Sequence, residues 1–287
     1  MKFSQFLCGL VTVFCSVNSI AQSQAVPAQS DSAGSYSRDF RVIAGQSIWF
    51  VSWDARLFDA RLVIPNPANP QPVIETSSPS AVVSKAVPIT TLGIATGPWV
   101  LSTSIIPRSN FSTDDASTGS VSRSEYDINF GYGFGNGLSA ALIYKYGKIL
   151  NLNTVSAVSL LGGGIENQEL KALLLGLSAN AELVSNLRVY GNAAFGPGKV
   201  KSASLLLGDG DNDFNYSIGE VGLIYRFPTT SFGSVSLRAG YRVQVVEIKD
   251  VAEARFTTGP SVNVSSIGAN KLQSTSQGVL LGLSVDF

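Results

Sequence analysis

Gly278-Val279-Leu280-Leu281-Gly282-Leu283-Ser284-Val285-Asp286-Phe287 closes the chain with an alternation of period two. Its odd positions, Val279, Leu281, Leu283, Val285 and Phe287, form one unbroken apolar row, opposed by Gly278, Gly282, Ser284 and Asp286. Successive strand side chains point to opposite faces, so this segment reads as a strand with one side against lipid and the other against a polar interior.

The same pattern recurs upstream as hairpins. Tyr126, Ile128, Phe130, Tyr132 and Phe134 alternate with Glu125, Asp127, Asn129, Gly131 and Gly133, then Asn136-Gly137 supplies the strongest two-residue hairpin signal. Leu138, Ala140, Leu142, Tyr144 and Tyr146 return opposite Ser139, Ala141, Ile143, Lys145 and Gly147. A second hairpin turns at Ser185-Asn186, with Leu173, Leu175, Leu177, Ala179, Ala181 and Leu183 before it and Leu187, Val189, Gly191, Ala193 and Phe195 after it. Leu170 to Val184 also fits an amphipathic helix, but strand neighbours and a short turn favour strand. A third hairpin turns between Pro228 and Ser234, with Glu220, Gly222, Arg226, Arg238, Gly240, Arg242 and Gln244 on its polar face. Further upstream, Ile89 to Ala95 and Trp99 to Ile106 flank Thr96-Gly97-Pro98. Gln46 to Leu57 supplies a first strand, with Trp49, Val51, Trp53, Ala55 and Leu57 read as the lipid row against Ser52, Asp54 and Arg56.

Short turns alternate strictly with long polar links: Phe58 to Lys85, Arg108 to Arg123, Leu150 to Gln168, roughly Val200 to Asp213, and Asp250 to Thr275. Short periplasmic turns and long outer loops are the habit of membrane barrels. The expected fold class is therefore all-β, a closed antiparallel transmembrane β-barrel of ten strands. Eight is the alternative, should the residues before about Thr96 form a periplasmic extension or plug. Trp99, Phe134, Tyr225, Phe227 and Phe287 fall at the proposed periplasmic strand ends, and Tyr126, Tyr144 and Tyr146 toward the outer ends, as two interfacial girdles require.

At the other terminus, Lys2 precedes an apolar stretch from Phe6 to Val17, and Ser19-Ile20-Ala21 offers the small residues a signal peptidase reads. The stretch is shorter than the roughly 20 apolar residues of a spanning helix. The expected organisation is a signal peptide over 1–21 (Ala25 being the alternative cleavage site), a disordered periplasmic leader over 22–45, and the barrel over 46–287. That route delivers the chain through the inner membrane to a bacterial outer membrane. Both cysteines, Cys8 and Cys15, lie inside the signal, so the mature chain has no disulfide and no thiolate metal site. Charge balances at 20 basic and 20 acidic residues, which leaves no basic surplus for nucleic acid.

The closing Gly278 to Phe287 stretch and the hairpin from Tyr126 to Ser139 resemble the small outer-membrane β-barrel proteins of Gram-negative bacteria. The likeness covers about Gln46 to Phe287 and identifies a superfamily, without carrying over any catalytic or ligand residue. It implies insertion by the barrel-assembly machinery, which reads a terminal aromatic such as Phe287. The expected surroundings are outer-membrane lipid and lipopolysaccharide, with the chain monomeric or weakly associated.

There is no histidine. A Ser or water nucleophile at neutral pH generally needs a base of that kind, so the common triads and dyads cannot be assembled. Glu125 and Asp127 share a strand face without thereby forming an acid/base pair. Asp209-Gly210-Asp211-Asn212-Asp213 has alternate acids, but Phe214 stands where a calcium loop needs Gly and Glu220 already lies in a strand. Gly162-Gly163-Gly164 lacks the Lys-Ser/Thr of a phosphate cradle. No cofactor, metal or catalytic residue is expected.

The inward charges expected are Asp54, Arg56, Glu125, Asp127, Lys145, Glu182, Arg188, Glu220, Arg226, Arg238, Arg242 and Asp286. The signs balance, and buried charge is tolerated mainly when paired. In a barrel of this size the interior is filled by side chains, so the expectation is a packed, salt-bridged lumen. The function expected is non-enzymatic, a structural or surface-contact role. A narrow porin-like channel for small solutes, lined by Arg238 and Arg242, is the alternative, and a barrel-borne hydrolase the third.

Overall fold

The computed structural model describes residues 40–54, 60–66, 69–77, 83–112, 120–151, 167–204, 208–228, 233–249, 254–257, 263–267 and 271–287. Strands run in chain order as β1 (Phe40–Asp54), β2 (Ala60–Asn66), β3 (Asn69–Ser77), β4 (Val83–Thr96), β5 (Trp99–Ser112), β6 (Ser120–Gly135) and β7 (Leu138–Asn151). They continue as β8 (Asn167–Val184), β9 (Leu187–Ser204), β10 (Gly208–Arg226), β11 (Ser234–Lys249), β12 (Ala254–Thr257), β13 (Asn263–Ile267) and β14 (Lys271–Asp286).

Ten of these close on themselves in the order β1-β14-β11-β10-β9-β8-β7-β6-β5-β4, every neighbour antiparallel. Closure leaves no unpaired edge, the condition for burying a sheet in hydrocarbon. At the seam, β1 pairs with β14 from Ile43 opposite Asp286 to Asp54 opposite Thr275. The backbone of Phe287 exchanges hydrogen bonds of 2.9 and 3.1 Å with Val42, so the terminal residue is stitched to the first strand. The hairpins β2-β3 and β12-β13 belong to the β1–β4 and β11–β14 connections, and β2 lies against β13.

Turn chemistry sets the tight end. Asn136 (φ 52°) and Gly137 (φ 77°) are both left-handed, which is the two-residue turn whose twist matches a hairpin. Asn186 (φ 70°) supplies the left-handed residue of the β8–β9 turn.

Each barrel strand presents large apolar residues outward: Phe50, Leu92, Leu101, Phe130, Leu142, Leu175, Phe195, Leu223, Leu237 and Leu281 are 43–63% exposed. A water-soluble surface rarely shows an apolar patch of more than a few hundred Å², and this belt encircles the molecule. Aromatic clusters bound it on both sides. Trp99 stacks on Phe130 at 5.1 Å and meets Tyr132 edge-on at 4.7 Å, and Tyr225 meets Phe227 at 5.1 Å, near the tight turns. Tyr126 stacks on Tyr146 at 4.9 Å toward the other end. Leu175, laddered between Leu142 and Phe195, sits within the belt. Leu175→Arg is expected to destabilise the barrel in lipid by about 2–4 kcal/mol, read from urea unfolding in vesicles.

The structure corrects four local expectations. First, β1 begins at Phe40, so residues 40–45 are strand and not the end of a leader; residues 1–39 lie outside the described residues. Second, β1 is turned over: Trp49, Val51 and Trp53 are buried in the lumen, and Ile48 and Phe50 face outward. The segment Ile48-Trp49-Phe50-Val51 is apolar on both faces, so alternation cannot choose between them. Register with β14 chooses, because Phe50 and Ile48 stand beside the outward Val279 and Leu281. Third, β9 runs to Ser204 and β10 starts at Gly208, so most of the supposed long link between Val200 and Asp213 is strand, 205–207 lying outside the described residues, and Asp209–Asp213 ladder against β9. Fourth, β5 and β6 extend to Ser112 and from Ser120, which brings Arg123 into a strand.

Candidate functional site in the barrel lumen

Alternation along β6 sends Arg123, Glu125, Asp127 and Asn129 inward, and all four are buried. Directly across the β6–β7 ladder from Asp127 stands Lys145, also inward. Its Nζ lies 2.7 Å from Asp127 Oδ1 and 2.6 Å from Glu125 Oε2, and Glu125 in turn pairs with Arg123. Two cations and two carboxylates therefore neutralise one another on one wall.

Arg123 reaches the opposite wall. It donates to Gln244 Oε1 of β11 at 2.6 Å and to Ser276 Oγ of β14 at 2.5 Å, while its guanidinium lies 5.4 Å from the Trp53 ring of β1. Trp53 Nε1 donates to Ser274 Oγ at 2.8 Å, and Lys145 lies 5.3 Å from the Tyr216 ring. A guanidinium satisfies five donors only with several acceptors, and here the barrel's far side supplies them.

A second layer lies nearer the tight turns. Glu220 on β10 accepts from Tyr190 Oη at 2.8 Å, with Arg238 at 3.6 Å and Arg242 at 4.0 Å. Arg242 stacks 5.4 Å from the Trp49 ring, and Arg238 donates to Ser47 Oγ at 3.3 Å. The Tyr190 ring crosses the ladder pair Gly222–Gly240, where a side chain on either glycine would occupy the space of the ring. The absence of Cβ at those two positions is what lets a phenol reach Glu220.

Trp49, Arg242, Tyr190, Ile143, Leu174, Leu280, Gln168 and Gln244 fill the cross-section between and around these layers, all fully buried. One cavity beside the first layer, walled by Trp53, Arg123, Lys145, Tyr216 and Ser276, holds about 20 Å³. Another near the tight turns, walled by Ser47, Thr91, Ser236 and Arg238, holds about 60 Å³. A water requires at least about 10–15 Å³, so these are places for single or few waters.

Of the expected inward charges, Glu125, Asp127, Lys145, Glu220, Arg238 and Arg242 form the two layers. Asp286 pairs with Arg41 at 2.8 Å across the seam, and Arg226 is half-buried on the inward row of β10. Arg188 pairs with Glu182 at 3.8 Å, but the Glu182 side chain is 52% exposed and belongs to the rim at the β8–β9 turn. Asp54 falls on the outward row of β1, a consequence of that strand's inversion, and Arg56 lies outside the described residues. Among the inward residues that sequence reading missed are Arg123, Trp49, Trp53 and Tyr216. Arg123 shares the parity of Glu125 two residues on, so carrying the alternation of β6 backward would have found it.

Asp213 pairs with Lys199 at 2.9 Å within the β9–β10 sheet. Among the described residues, no group of three or more Asp or Glu side chains is gathered as a metal site. Gly162–Gly164 lie outside the described residues. Chemically, both lumen layers consist of carboxylates already held by cations.

No family model and no curated protein matches the chain. Among solved structures, it is similar to the translocator domain of autotransporter NalP from Neisseria meningitidis, with 15% identity and a TM-score of 0.43 over 90% of this chain and 91% of that one. It is also similar to Neisserial surface protein A, with 15% identity and a TM-score of 0.33 over 86% of this chain and 97% of that one. For the outer membrane protease OmpT from Escherichia coli the identity is 10% and the TM-score 0.36, over 89% of this chain and 99% of that one.

Proposed function

We propose that the chain is an integral β-barrel of the bacterial outer membrane, without enzymatic activity, with an electrically closed lumen, acting through its long connections in a structural or surface-contact role. The observation that carries this reading is the combination in one closed sheet of an apolar belt on every strand with a lumen spanned by Arg123 from β6 to β11 and β14. The belt suits acyl chains and nothing aqueous. In the first layer two cations meet two carboxylates at close range, which removes the free fixed charge that an ion pathway would present there, while the second layer is closed by the packing of Trp49, Tyr190 and Arg242. The hairpins β2-β3 and β12-β13 support the contact role, since they extend the barrel at the end opposite the tight turns.

Three measurements test it. Membrane-fractionated protein is expected to migrate differently unboiled and boiled, and purified protein in a planar bilayer is expected to stay silent. Defined conductance steps would replace this reading with the narrow channel. Turnover of a phospholipid or peptide substrate that disappears on Glu125→Gln or Asp127→Asn would replace it with the hydrolase.

A further inference from the structure

Four of the chain's nine lysines stand on three adjacent strands, on the outside of the barrel, just beyond the apolar belt at the end opposite the tight turns. Lys171 on β8 is directly opposite Lys199 on β9, with Tyr146 flanking Lys171 and Asp213 flanking Lys199 in the same row. In the next row outward, Lys148, Glu169, Lys201 and Asp211 follow one another across β7 to β10. Lys148 is held by Glu169 at 3.5 Å and Lys199 by Asp213 at 2.9 Å. Lys171 and Lys201 are exposed. Like charges directly opposite in a ladder are destabilising; Asp213 offsets this for Lys199 and Glu169 is engaged by Lys148, while Lys171 stands between Tyr146 and Lys199.

Below this patch, without a break, come Leu173 (51% exposed), Leu175 (63%) and Phe195 (58%). Cations above and apolar side chains beneath are complementary to one kind of amphiphile. We propose that this face of β8 and β9 binds a membrane lipid with a phosphate in its headgroup, the phosphate between Lys171, Lys199 and Lys201 and the acyl chains on Leu173, Leu175 and Phe195. The site rests on the membrane reading above. Phosphate oxygens accept from ammonium donors in charge-assisted hydrogen bonds, and each juxtamembrane lysine strengthens attachment to an anionic headgroup about fivefold.

The test is native mass spectrometry of the detergent-purified full chain titrated with dipalmitoyl phosphatidic acid. Dipalmitoylglycerol serves as the phosphate-free partner and inorganic phosphate as competitor. Phosphatidic acid is expected to bind, dipalmitoylglycerol to bind far more weakly, and inorganic phosphate not to displace it. Lys171→Gln with Lys201→Gln is expected to weaken binding about 25-fold, and Lys171→Arg with Lys201→Arg to keep it. Unchanged affinity in the Gln variant, equal binding of dipalmitoylglycerol, or displacement by inorganic phosphate overturns the site. Heat-modifiable migration, measured on every variant, separates the two levels: a folded barrel that binds lipid regardless of the lysines defeats the site alone. A chain that is never heat-modifiable defeats the membrane reading and the site with it.

Discussion

Lys145→Met is expected to lower the free energy of unfolding in lipid vesicles by about 3–5 kcal/mol. The side chain is buried between Glu125 and Asp127, at 2.6 and 2.7 Å, and Met keeps its length while deleting the charge. Arg123 remains to balance one carboxylate, which leaves the other buried without a counter-ion. Desolvating an unpartnered charge is the dominant penalty when one member of a buried pair is removed. Adding Asp127→Asn to Lys145→Met removes the stranded carboxylate and leaves the Arg123–Glu125 pair neutral, so it is expected to recover much of the loss. Urea titrations followed by unboiled gel mobility give both numbers. A single variant within about 1 kcal/mol of the parent would mean that the lumen is well hydrated at this level and that the layer is not a low-dielectric seal.

The second large effect is electrical. Trp49→Ala with Arg242→Ala removes two fully buried side chains that stack on each other at 5.4 Å inside the lumen. Truncating a buried Trp costs about 3–5 kcal/mol in itself, yet the ladder that closes the barrel is untouched because backbone hydrogen bonds make it. Arg238 stays within 3.6 Å of Glu220, so no buried charge is stranded by the change. The variant is expected to show defined steps in a planar bilayer where the parent is silent. Selectivity at those steps would report the charges left facing the opening. A folded, heat-modifiable variant that stays silent would shift the seal to the first layer, where Arg123 spans the lumen.

Most of the barrel wall was legible residue by residue. Leu173, Leu175 and Leu177 on one face, and Glu220, Arg238 and Arg242 on the other, follow from parity alone once the segments are read as strands. The Asn136-Gly137 turn follows from the rarity of left-handed backbone in other residue pairs. What failed was local in a different sense. Where both faces are apolar, as at Ile48 to Val51, alternation contains no sign. Where polar residues continue a strand, as from Ser120 to Arg123 and from Gly208 to Asp213, composition imitates a loop while the ladder simply continues. Glu125, Asp127, Lys145, Glu220, Arg238 and Arg242 were legible as inward charges but not as pairs, because pairing depends on which strands face one another across the barrel, and Asp54 was misplaced and Arg123 missed.

By itself, then, the linear order of residues determined the period-two faces of most strands, the tight turns and the ten-strand count, since each depends on neighbours a few positions apart. Only the closed tertiary structure decided that Trp49 and Trp53 point inside, and that Arg123 leaves its own wall to bond Gln244 and Ser276, 121 and 153 residues away along the chain. Closure joins β1 to β14 in one register, and that register sets the facing of β1 and brings distant side chains to the same height in the lumen.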